Sequence, residues 1–213
     1  MDNATALTNN SPSWKRIGVF GGSFDPIHYG HLAAAEEARD ALGLSQVLFV
    51  PAALPPHKGD AALTPYALRV AMVEAAIADN TAFGVSRIEQ NLPKPSYTVQ
   101  TLQFLQQQHP DTQLFFITGA DMFLDLPTWK DVDYMLANYH FVAVARPGWS
   151  QAQVKAAVAE RWAAYAKHIH VLDVPGVAVS ATEIRRRIRT DRSVRYLVPD
   201  AVIELMNRHA LYR

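Results

Sequence analysis

Cysteine is absent from all 213 residues, which removes disulfide scaffolds, thiolate zinc sites and cysteine nucleophiles in one step. Long hydrophobic runs are absent too: nowhere do about eighteen apolar residues follow one another, the length a membrane-spanning helix needs. The opening MDNATALTNNSPSW is polar and lacks the apolar stretch of a signal peptide. These absences set the expectation of a cytoplasmic chain with no membrane partner, its residues 1–14 a flexible tail. An excess of charge of either sign is also missing. Twenty Lys and Arg balance twenty Asp and Glu, so no global field draws the chain to nucleic acid, and any bound anion must be met by a local site. The arginines at 185–187, 189, 192 and 195 are read as a solvated helix face, because no nucleic-acid recognition module accompanies them.

What is present is a globular composition, 49% hydrophobic and 19% charged, long enough for one well-cored domain over residues 15–213. Short runs rich in β-branched and aromatic residues predict strands at 17–20, 47–50, 83–88, 114–118, 141–145 and 169–172. Helical spacing predicts helices between and after them. One runs from His31 to Leu42 and stops at Gly43, and a second is capped by Thr64, started by Pro65 and continues to about Ala78. Others cover 98–108, 129–137, 152–166, 182–189 and 199–209. Strand followed by helix, repeated, implies a doubly wound α/β fold with a parallel sheet, whose ligands bind beyond the carboxyl ends of the strands.

The first such loop lies in GVFGGSFDPIHYGHL, residues 18–32. It contains neither G-x-G-x-x-G nor a Walker loop. A metal site would have His28 and His31 as two ligands, with Asp25 a poor third. Histidines that merely satisfy a helix start are a second reading. A third is an anion site: residues three apart share a helical face, so both imidazoles point together beside free backbone N–H groups and the positive end of the helix dipole. Gly22 and Gly30 then remove side chains where a phosphate or second backbone comes close. Farther along, Ser180 and Glu183 make an S-x-x-E capping box. The same helix start offers the Thr182 hydroxyl and the Arg185 guanidinium, a suitable fork for polyphosphate oxygens.

GGSFDPIHYGH resembles the G-x-F-x-P-x-H-x-G-H signature of the nucleotidylyltransferase superfamily, standing here as Gly22, Phe24, Pro26, His28, Gly30 and His31. VSATEIRRRI at 179–188 is similar to its I-S-S-T-x-I-R motif, with Val179 and Ala181 as departures. With PPHK (55–58), PSYTVQTL (95–102), TGADMFLDLPTW (118–129) and ARPG (145–148), the chain from Ile17 to Arg213 resembles the bacterial nicotinate-nucleotide adenylyltransferase family. The resemblance implies a Rossmann-like parallel sheet with a small C-terminal helical part at 179–213. It also implies adenylyl transfer from ATP to nicotinate mononucleotide, giving nicotinic acid adenine dinucleotide and pyrophosphate in NAD biosynthesis. Mg²⁺ would arrive with ATP and be held by phosphates and water rather than by protein ligands. A homo-oligomer is compatible with this reading.

Carried over residue by residue, the resemblance makes His28 and His31 catalytic. It gives ATP to Gly21, Gly22, Ser23, Phe24, His28, His31, Gly119, Asp121, Ser180, Thr182 and Arg185. Nicotinate mononucleotide falls to Ser23, Lys58, Tyr97, Thr98, Trp129 and Arg146, with Trp129 stacking on the pyridine ring and backbone N–H groups at Tyr97 and Thr98 meeting its carboxylate. The nucleophile is already an anionic phosphate oxygen, so the chemistry calls for charge stabilisation and alignment and no general base.

Overall fold

The computed structural model describes residues 16–54, 63–145, 151–174 and 178–213. Six strands form one sheet: β1 (Arg16–Gly22), β2 (Gln46–Pro51), β3 (Phe83–Val85), β4 (Gln113–Gly119), β5 (His140–Ala145) and β6 (Ile169–Asp173). Their order is β3-β2-β1-β4-β5-β6, and every pair is parallel, with Val19 of β1 in register with Leu48 on one side and Phe116 on the other. Such strands must be apolar on both faces. Phe20, Phe49, Phe115, Ile117 and Val142 enter one core, while their alternates Ile17, Val19, Leu114, Phe116 and Phe141 enter the other.

Eight helices complete the described chain: α1 (Tyr29–Leu42), α2 (Tyr66–Ala76), α3 (Thr98–Gln108), α4 (Ala120–Leu124), α5 (Val132–Asn138), α6 (Gln151–Arg161), α7 (Ala181–Arg189) and α8 (Asp200–Arg208). Helices α1, α2, α7 and α8 cover the first core, and α3 to α6 cover the second. Residues 179–213 thus pack into the same core as α1 and α2, through Val179, Ile184, Val198, Val202 and Met206. Helix α1 stops as its sequence demands: Gly43 lies at φ +59°, where a Cβ costs about 1 kcal/mol.

Several boundaries differ from the sequence reading. Pro65, not Thr64, occupies the N-cap of α2, and no side chain caps that helix. The third strand ends at Val85, and a 3₁₀ turn follows at Ile88–Gln90. Helix α6 ends at Arg161, ahead of a 3₁₀ turn over Ala163–His168. Trp129 is not the start of a helix. It follows a 3₁₀ turn over Leu126–Thr128, and α5 begins only after Asp131 at φ +54°. Helix α4, at five residues, is too short for its periodicity to register in the sequence.

At the middle of the sheet the chain leaves β1 for one face and β4 for the other. A crevice therefore opens between the carboxyl ends of these two neighbours, the switch point of doubly wound folds. No described helix is long and apolar enough to cross a membrane.

Candidate active site

A cavity of about 560 Å³ occupies that crevice. Its first wall is the turn after β1, where Gly21, Gly22, Ser23, Phe24, His28 and His31 all face the space. His28 is extended (φ −153°, ψ 169°) and forms the N-cap of α1, and His31 is the third helical residue. The imidazoles stack with centroids 3.7 Å apart and planes 22° from parallel, so the three-residue spacing does place them together. The His31 Nδ1 accepts the His28 backbone N–H at 3.3 Å. In neutral His31 the proton therefore sits on Nε2, which makes that nitrogen a donor. One ring thus caps the helix through Nδ1, as the helix-start reading expects, and lines the cavity.

Two phenylalanines fix that ring edge-on, Phe24 at 5.1 Å and Phe20 at 5.9 Å between centroids. Phe24 is buried and held at φ +47°, a backbone conformation that is costly for a bulky residue and that the surrounding packing must enforce. The glycines serve this packing. A Cβ on Gly22 would meet the Phe24 ring at 3.0 Å, and one on Gly30 would meet the His28 ring and Val179 at 3.1 Å. The close neighbours are thus the protein's own side chains, where the sequence reading expected a phosphate or a backbone.

Two buried side chains hold the turn in shape, Arg69, which sequence reasoning missed, and Asp25, which it weighed only as a metal ligand. Arg69, 1% exposed, donates to three backbone carbonyls: Thr64 at 2.9 Å, Ser23 at 2.7 Å and Ala52 at 2.8 Å. Burial pulls its guanidinium below the usual arginine range, with the Asp25 charge opposing. Asp25, also buried, accepts the Tyr212 hydroxyl at 2.5 Å and the Thr64 N–H at 3.4 Å. Burial first, then the bond to Asp25, pushes the Tyr212 phenol well up. The only signal for Arg69 in the sequence is a lone cation inside the apolar run YALRVAMV.

The second wall is the start of α7. Thr182 and Arg185 line the cavity, whereas Ser180 does not. The Ser180 hydroxyl accepts the Glu183 N–H at 3.2 Å, so it is spent as a cap. Glu183 turns to Arg186 and Arg187, and the bond to Arg186 above all holds its carboxyl down near 2. Arg185 donates to the Asp25 carbonyl at 2.6 Å and to the Thr182 hydroxyl at 3.4 Å. This aims its fork across the mouth of the histidine turn.

Beyond the strand tips, Thr118 and Asp121 line the floor, and Gly119 between them does not. On the opposite face of the sheet Tyr97, Thr98 and Trp129 close the far end. The Trp129 ring is propped edge-on by Phe116, 5.8 Å away. The Tyr97 N–H is already given to Gln100 Oε1 at 3.3 Å, so this expected donor is turned inward. Glu89, also missed, is a buried carboxylate in this wall. It accepts the Ala53 N–H and the Thr101 hydroxyl, each at 3.1 Å, and burial raises its pKa. Lys58 and Arg146 lie outside the described residues. Among the described residues no three His, Cys, Asp or Glu side chains converge as metal ligands.

The cytidylyltransferase-like family model matches residues 19–187. A Thermus thermophilus protein is 48% identical over 198 residues, covering 93% of this chain and all of that relative. A Moorella thermoacetica protein is 43% identical over 93% of this chain and 92% of its own length. Both carry the name "Probable nicotinate-nucleotide adenylyltransferase". The chain belongs to the nicotinate-nucleotide adenylyltransferase family. The fold agrees: a Plasmodium falciparum nicotinic acid mononucleotide adenylyltransferase, solved in complex with NaAD, superposes with a TM-score of 0.74 at 17% identity, over 93% of this chain and 97% of that one. In this family member the histidine turn and the α7 start face each other across one cavity, and an aromatic cleft lies at its far end.

Proposed function

We propose that the chain transfers the adenylyl group of ATP to the 5′-phosphate of nicotinate mononucleotide, releasing pyrophosphate and nicotinic acid adenine dinucleotide. The observation that carries this reading is the stacked histidine pair, whose His31 Nε2 donor and the Arg185 fork line one cavity with Trp129. A phosphate oxygen of the mononucleotide attacks the α-phosphorus, the bond to the β-phosphate oxygen breaks, and no proton need move. The work left for the protein is to align two polyanions and stabilise the charge that builds on the α-phosphate and leaving group.

His31 donates to the α-phosphate, with His28 beside it. Backbone N–H groups of Gly22 to Phe24 and the Thr182–Arg185 start of α7 hold the remaining phosphate oxygens, and the Ser23 hydroxyl takes the mononucleotide phosphate. Asp121 accepts ribose hydroxyls, and Trp129 stacks on the pyridine. Lys58 and Arg146, which follow β2 and β5 in the sequence, add positive charge. A divalent cation, Mg²⁺ in our reading, enters as part of the nucleotide substrate, since the described residues make no dedicated metal site. A cysteine-free chain of this kind suits a reducing cytoplasm.

Pyrophosphate release with ATP and nicotinate mononucleotide tests the proposal. The wild type turns over, and His31→Ala loses about 10²- to 10³-fold in kcat with its melting temperature kept. His31→Gln, which places an amide N–H near the position of Nε2, retains more activity than His31→Asn. A wild type that releases no pyrophosphate overturns the reading.

A further inference from the structure

We infer that Lys130 selects the acid over the amide mononucleotide, its ammonium being the positive partner of the pyridine carboxylate. This rests on the function proposed above. Lys130 follows Trp129 directly and lines the same end of the cavity. Its Nζ sits over the face of the Tyr97 ring, 4.9 Å from the centroid, which restrains an otherwise flexible exposed side chain at the start of α3.

Two features of that end leave room for a charged partner. The Tyr97 backbone N–H points at Gln100 Oε1, so one of the neutral donors at the helix start is already engaged. Glu89 also lines this cavity. Its carboxylate is fixed by Ala53 and Thr101 in surroundings that favour its neutral form. The Lys130 ammonium gives a carboxylate a charged partner that a carboxamide cannot use equally.

The test compares dissociation constants for nicotinate and nicotinamide mononucleotides, by calorimetry, in wild type, Lys130→Gln and Lys130→Arg. Turnover of the wild type runs alongside. Lys130→Gln is expected to weaken nicotinate mononucleotide about fivefold, leave nicotinamide mononucleotide within twofold, and leave the KM for ATP unchanged. Lys130→Arg keeps the wild-type preference. Raising salt should weaken the acid mononucleotide more in the wild type than in Lys130→Gln. An unchanged acid-to-amide ratio in Lys130→Gln overturns the inference while the proposed function stands. A wild type that neither binds nor turns over either mononucleotide sinks the function and the inference together.

Discussion

At the scale of single residues, the stacked histidines are visible in the chain and the groups that hold them are not. His28 and His31 meet because an N-cap and the third helical residue stand three apart, a local spacing any reader of the sequence can use. Asp25, by contrast, is defined by partners 160 and 187 residues away, and no local pattern carries that. Arg69 is the strongest case. Its three carbonyl partners lie after β1, after β2 and before α2, so one buried guanidinium joins three segments that frame the cavity. Arg69→Ala leaves three carbonyls without their donor and empties a buried volume, a loss of about 3–5 kcal/mol. Urea unfolding should show the midpoint falling with the slope unchanged. Arg69→Lys should recover only part of that, because an ammonium cannot span the three acceptors as a planar fork does. A wild-type midpoint in Arg69→Ala would mean that these bonds contribute nothing net.

At the scale of elements, the sheet was legible because its strands are apolar on both faces, and five of the six sequence ranges fall inside the observed strands. The third strand and the segment before α5 were misread where short 3₁₀ turns replace regular structure. Such turns bury few side chains and leave no period to detect. A second consequence sits at the opposite end of the sheet from the cavity, at the amino-terminal ends of β5 and β6. His140 stacks on Phe115 and meets His170 at 3.2 Å, with His168 beside it and Arg16 over the same phenylalanine. Burial, then the charges of His170, His168 and Arg16, lower the His140 pKa to about 4, and His170 is lowered by burial and by Arg16 and His168. The folded form therefore resists protons that the unfolded chain accepts from about pH 6.5 downward. Stability is full above that value, falls as pH drops towards 4, and loses no more from His140 below it. Allowing for solvent screening at a half-buried site, the loss by pH 5 is about 1 kcal/mol. Urea midpoints at pH 8, 6 and 5 should fall in the wild type and fall less in His140→Phe. Parallel curves would remove the cluster as the cause.

At the scale of the whole molecule, the family is recognisable from motifs that lie far apart, and the structure supplies the reason they occur together. The first turn, the start of α7 and the final residues meet at Asp25, whose carbonyl binds Arg185 and whose carboxylate binds Tyr212. Tyr212→Phe removes a bond to a charged acceptor while keeping the ring. It should lower stability by about 1–2 kcal/mol and reduce kcat more than it changes either KM, because the histidine turn loses a brace rather than a contact with substrate. Steady-state kinetics with both substrates would show the split, and a pure KM effect would contradict it. The same link orders events during synthesis. Asp25 leaves the ribosome 187 residues before its phenol partner, so the histidine turn cannot be fully braced until Tyr212 has been made. A nascent chain can fold its β1-to-β4 centre early, yet the histidine turn would gain its last brace only after α7 and α8 have been made.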